Sequence, residues 1–232
     1  GGTPLANFPQ PEAVVGNEAY AWYYDGSRVY EQIGKILDDR SYLTCAEMFN
    51  NGYRQYVENG KGAIPGWRYF PQGLAMNYAR TGNELSKAAV MMMADGSTGA
   101  QDTSVHANMI DPNYAREVAY ATQTVIAAQR LGRAKSWKLS FLVDCVLSHL
   151  EQWFVQRTMK AQPFITALSV EALIEYYDLT QDPRVPGMLK TVADELWARY
   201  WDPVSKSFWY VDGSAQYPSN DTNLLFAPLY GW

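Results

Sequence analysis

Arg80-Thr81-Gly82-Asn83 closes one stretch rich in small and apolar residues and opens another. The same change recurs at Leu37-Asp38-Asp39-Arg40, Arg130-Leu131-Gly132-Arg133 and Leu179-Thr180-Gln181-Asp182. Gly, Asn and Asp tolerate the left-handed backbone that stops a helix, so each stretch reads as a joint between two helices. The third residues of the joints fall at 39, 82, 132 and 181, in steps of 43, 50 and 49. A period near fifty with two helices per unit is a repeat of helical hairpins.

Working outward from the joints, the helices can be placed. A first inner helix begins at Asp25-Gly26-Ser27, with Asp25 or Ser27 as its N-cap, and runs to about Leu37. Its partner spans Ser41–Glu58, where Cys45, Met48, Phe49, Tyr53, Tyr56 and Val57 form one apolar stripe. Pro71 suits a first helical turn, so Gln72–Arg80 follows it and pairs with Glu84–Ala94. Tyr114–Leu131 is apolar nearly all round and predicts a buried helix, with Lys135–Val155 as its amphipathic partner. Phe164–Asp178 and a helix from Pro183 or Val185 to Tyr200 complete the next pair. Residues 1–16, with three prolines and no helical period, read as an extended arm, and 17–232 as a single helical-hairpin domain. Ser207–Val211 is strand-like and Asp212-Gly213 is a two-residue turn signal, which predicts a small β-hairpin over 207–217.

Composition narrows the function classes. The chain has 232 residues, 47% of them hydrophobic, which is enough for a sizeable core. A net charge of −5 and the lack of any basic run argue against nucleic acid as partner. No apolar stretch is long enough to span a membrane. Cys45 and Cys145 lie in helical patterns a hundred residues apart and read as buried thiols. The chain begins with Gly, consistent with processing; a removed secretory signal would place it in an extracellular or periplasmic compartment. Asp95–Asn113 is the longest irregular loop; Asp95-Gly96-Ser97 suggests a calcium loop, but His106 stands where its bidentate Glu belongs. No metal and no cofactor is therefore expected. Aromatic residues are abundant, 17 Tyr, 8 Trp and 8 Phe, and several sit in loops, where flat rings suit stacking on sugars.

The alternation of a buried, small-residue helix with an amphipathic one resembles the six-hairpin (α/α) toroid superfamily of glycoside hydrolases, polysaccharide lyases and epimerases. The residues that carry the resemblance are the four joints and the inner-helix starts Arg116-Glu117-Val118-Ala119-Tyr120 and Gln162-Pro163-Phe164. It implies an all-α fold, here an incomplete or open toroid of about four and a half hairpins. It also implies a cleft on the rim where the inner helices begin, under the positive ends of their dipoles. Asp25, Arg28, Trp67, Arg68, Tyr69, Tyr114, Arg116, Glu117, Gln162 and Asp221 would collect there, with His106 from the long loop.

Asp25 and Glu117 are the candidate catalytic pair, since glycoside hydrolysis needs one carboxylic acid and one carboxylate. The others would bind substrate. A lyase would instead use Tyr114 as base with Arg116 or Arg68 on a uronate. Each residue also has a plain structural reading: Asp25 and Asp221 as caps, Arg116 and Glu117 as an ion pair, Trp67 as a core plug. The competing function is a non-catalytic helical-repeat module that binds glycan or protein in its concave face. Terpene and zinc cyclases, which share the toroid, lack support: there is no Asp-rich run and no Cys-x-x-Cys or His-x-x-x-His pair. The end of the chain, Asn223–Trp232, is expected to be helical, nearly devoid of a polar face and without an outer partner of its own. It should close on Tyr20–Tyr24 or form a homodimer.

Overall fold

The computed structural model describes residues 24–96, 109–211 and 220–232, with side chains in the last segment from 223 onward. The arm over 1–16, Tyr20–Tyr23, His106 and the Asp212-Gly213 turn therefore lie outside the described residues, as does the side chain of Asp221. The described chain is mostly helical, with ten α-helices and one two-stranded antiparallel sheet. It divides into two compact units, one holding the described residues up to 96 with Ala127–Arg133, the other those of Thr98–Ile126 with Ala134–Trp232.

The first unit holds α1 (Gly26–Leu37), α2 (Arg40–Asn59), α3 (Pro71–Thr81) and α4 (Glu84–Gly96). They form two hairpins laid side by side, α1 packing on α3 and α2 on α4. Gly73, on α3, lies so close to Asp25 and Ser27 that a Cβ there would strike the Asp25 carboxylate. The second unit takes most of α5 (Ala115–Arg130), then α6 (Trp137–Leu150), α7 (Pro163–Thr180) and α8 (Arg184–Tyr200). Five residues, Glu151–Val155, extend α6 as a π-helical turn and bury Trp153 and Phe154. One apolar cluster fills this unit, from Met109 to Leu229.

Every joint contains a residue in the left-handed conformation: Asp38 (φ 51°), Gly82 (φ 72°), Gly132 (φ 102°) and Gln181 (φ 58°). The N–H of Asp38, Gly82 or Gln181 donates back to the last turn of its helix, to Gly34, Tyr78 and Tyr177 respectively. Just beyond each stop, a short polar side chain caps the next helix. Asp39 accepts from Ser41 N, Asn83 from Leu85 N, Ser136 from Lys138 N and Asp182 from Arg184 N, over 2.9–3.3 Å. The third joint is longer than expected, running from 131 to 136, because its cap is Ser136.

Two elements differ from the sequence expectation. Ser207–Phe208 (β2) pairs backwards with Trp201–Asp202 (β1), in the register Trp201↔Phe208 and Asp202↔Ser207. The Asp202 carboxylate accepts from Val204 N and Ser205 N and so shapes that turn. The C-terminal segment is helical but split into α9 (Asn220–Leu225) and α10 (Ala227–Gly231). Pro228 has no N–H and its ring would meet the carbonyl of Leu224, so one continuous helix is blocked. The segment, expected to be without an outer partner and to close on Tyr20–Tyr24 or on a second copy, packs on α7, α8 and β2 of its own unit. Phe226 and Leu229 are buried, Phe226 lying 4.7 Å from the Phe208 ring, and Tyr230 donates to Ala193 O over 3.1 Å.

Candidate functional site

In the first unit the expected rim residues do gather at one end, where α1 and α3 begin. Asp25 is buried and caps both helices at once: Oδ1 accepts from Arg28 N at 3.2 Å and Oδ2 from Gly73 N at 3.0 Å. Its carboxylate lies between the positive ends of two helix dipoles, which favours its charge. Trp67 and Arg68 belong to a 3-10 turn, Gly66–Arg68, that leads into α3. The Arg68 guanidinium lies over the Trp67 ring at 4.4 Å and over the Tyr56 ring at 5.4 Å, and Nη1 donates to Tyr56 Oη. Tyr69 is buried. Tyr53, which sequence reasoning placed only in an apolar stripe, fixes this turn. Its hydroxyl donates to Arg68 O over 2.6 Å and accepts from Phe70 N over 2.8 Å, and burial raises its pKa well above the usual phenol value.

In the second unit a similar end can be traced by bonds. His149 near the end of α6 donates to Met109 O, just before α5, and Gln152 donates to Ile110 O. Arg157, in the loop leading to α7, pairs with Glu195 near the end of α8 at 2.9 Å. The starts of α5 and α7 thus share one end of this unit, which brings Tyr114, Arg116, Glu117 and Gln162 there.

Tyr114 closes a short turn capped by Asp111 and is about half exposed. Arg116 donates twice to one oxygen of Glu117, from Nη2 at 2.8 Å and Nε at 3.1 Å, and both side chains are about a third exposed. Gln162 stands at the N-cap of α7 with no side-chain cap bond, next to a stack of Phe164 on Tyr210 at 5.5 Å. Asp25, Arg28, Trp67, Arg68 and Tyr69 belong to the first unit, and Tyr114, Arg116, Glu117 and Gln162 to the second.

His149 is fully buried, and burial lowers its pKa to about 4. Nε2 holds the proton that Met109 O accepts, and Nδ1 has no partner, so a second proton would place an unpaired charge in the core. Cys45 and Cys145 are free thiols, Cys145 buried and Cys45 partly so. Among the described residues no group of three His, Cys, Asp or Glu side chains is placed to hold a metal ion, and no helix is long and apolar enough to cross a membrane.

Comparison with protein-family models finds no match, and comparisons with curated proteins and with solved structures find none either.

Proposed function

We propose that the chain is a carbohydrate-active protein of the (α/α) hairpin-repeat type, in its first reading a glycoside hydrolase in which Glu117 is the acid or base. One observation carries the reading. In each unit the capped joints lie at one end of the hairpins, and the opposite end gathers aromatic rings, guanidinium groups and carboxylates, buried in the case of Asp25 and Tyr69 and partly exposed for Trp67, Arg68, Tyr114, Arg116 and Glu117. Side-by-side stacking of α1 on α3 and α2 on α4 supports the toroid-like arrangement. Glu117 suits that role better than Asp25, because it is accessible and held by a single arginine, whereas Asp25 is buried. The double capping role of Asp25 favours a second reading, a module that binds glycan without cleaving it.

A glycan panel with product analysis separates the two. Under the hydrolase reading Glu117→Gln abolishes product release, by at least about a hundredfold, while melting temperature and glycan retention stay unchanged. Retention without product in the parent protein selects the second reading. A melting temperature that drops in the variant makes Glu117 a structural partner of Arg116. A second copy of the chain is the proposed protein partner, through Leu224, Tyr230 and Trp232, which stay about half exposed or more. Sedimentation that gives a monomer at all concentrations removes that part.

A further inference from the structure

A cleft of about 250 Å³ opens in the first unit between α2, the end of α3 and the joint that follows, lined by Glu47, Asn51, Asn77, Thr81 and Asn83. It lies at the capped-joint end of this unit, away from Asp25 and Trp67. We propose that this cleft binds a single small, neutral, hydroxyl-rich ligand, such as one sugar residue.

The argument starts with Asn77, which is buried at 3% exposure. A relay of buried hydrogen bonds sets its amide: Asn50 Nδ2 donates to Ser86 Oγ at 3.2 Å, and Ser86 Oγ donates to Asn77 Oδ1 at 2.8 Å. In this arrangement the single serine proton goes to Asn77 Oδ1. Its NH₂ group is left to the cleft with no hydrogen-bond partner among the described residues. Asn83 is set in the same way, its Oδ1 accepting from Leu85 N at 3.0 Å, so that its NH₂ is also unclaimed. Thr81 is used internally, donating to Asn77 O and accepting from Asn83 N. Glu47 lines the same cleft, and one of its oxygens accepts from Arg80 Nη1 at 3.1 Å.

The lining therefore offers two fixed donors and a carboxylate acceptor. A carboxylate or phosphate ligand would meet Glu47, and an ammonium ligand would meet the two NH₂ groups. A hydroxyl donates and accepts at one atom and satisfies both sides. Local charge is also balanced, with Glu31 and Glu47 facing Arg80 and Lys35. The volume is below the usual range for drug-sized ligands, which limits the occupant to about one ring. This proposal does not rest on the hydrolase reading and can fail or stand without it.

The test is amide NMR of the ¹⁵N-labelled chain, following the Asn77 side-chain signals. D-Glucose, D-mannose and glycerol are titrated separately, with methylammonium and acetate as charged controls. The expected result is a saturable shift with at least one neutral probe, at a millimolar dissociation constant. Asn51 is exposed, so Asn51→Ala keeps the fold and weakens binding by about threefold to tenfold. Asn83→Ser retains an oxygen to cap α4 but removes the donor, and weakens it further. The proposal is overturned if no neutral probe gives a saturable shift, if a charged control binds as well, or if both variants bind like the parent.

Discussion

In the first unit a chain of buried polar side chains bonds across helices, whereas in the second three buried threonines bond back within their own helix or to its cap. Glu31 on α1, 1% exposed, takes Arg80 of α3 at 2.9 Å, and Arg80 reaches on to Glu47 of α2. Asn50, Ser86 and Asn77 tie α2, α4 and α3 together in the same way. In the second unit Thr122, Thr124 and Thr166 donate to the carbonyls of Val118, Tyr120 and Gln162, each four residues back. Such hydroxyls are satisfied before any neighbour arrives. They leave the packing to apolar groups, and the buried cluster of Leu142, Val146, Trp153, Leu173 and Leu196 supplies it. The lesson is that one hairpin pattern can be held by partners that must match or by surfaces that need only fit.

The largest effects should come from attacking each unit by its own means. Phe226→Ala empties a fully buried site against Phe208 and should cost the second unit about 3–5 kcal/mol in urea unfolding. A loss below about 1 kcal/mol would mean that the C-terminal segment does not belong to that core. Arg80→Met keeps the volume but leaves Glu31 with only the half-exposed Lys35 at 3.5 Å. Removing one partner of a buried pair costs about 3–5 kcal/mol, and the lower figure applies because Arg80 is 23% exposed. The variant should unfold the first unit early, read by hydrogen exchange. Equal protection loss in both units would break the contrast.

A smaller change should appear with pH. His149 takes its proton near pH 6.5 when unfolded and near pH 4 when folded. Between those values the unfolded state holds more protons, so stability is complete above about pH 6.5 and is lost as pH falls toward 4. The loss is about 3 kcal/mol and belongs to the second unit. His149→Gln should remove this leg of the stability profile, and a profile that keeps it assigns the effect elsewhere.

The smallest effect tests what the units have in common. Asp38→Gly and Gln181→Gly relieve a left-handed residue in one joint of each unit and should each stabilise by about 0.5–1 kcal/mol. Unequal gains would show that the joints are not alike.

The joints were legible because their code is local. Gly82 and Gln181 fell where the pattern put them, although Gln is an unusual choice for that backbone. The first stop is Asp38, one residue earlier than read, because Asp39 must stay extended to cap α2. The strand pairing was missed because Asp212-Gly213 outweighed Asp202-Pro203, the quieter turn signal. At the candidate residues, the helix starts marked the end of the first unit where Asp25 and Arg68 lie and the end of the second where Glu117 lies, but not their bonds. Asp25 with Gly73 and Glu31 with Arg80 are 48 and 49 residues apart, and such pairs depend on how one hairpin registers on the next. No single-sequence period encodes that register.

The paired stop and cap at each joint also bears on how the chain folds in time. Within a hairpin such as α1–α2 or α7–α8, contacting residues are close in sequence, so little loop entropy opposes their meeting. Each hairpin can form and reopen on its own before its neighbour is in place. The slow step of folding is then the docking of one finished hairpin on the next, where Glu31 has to find Arg80.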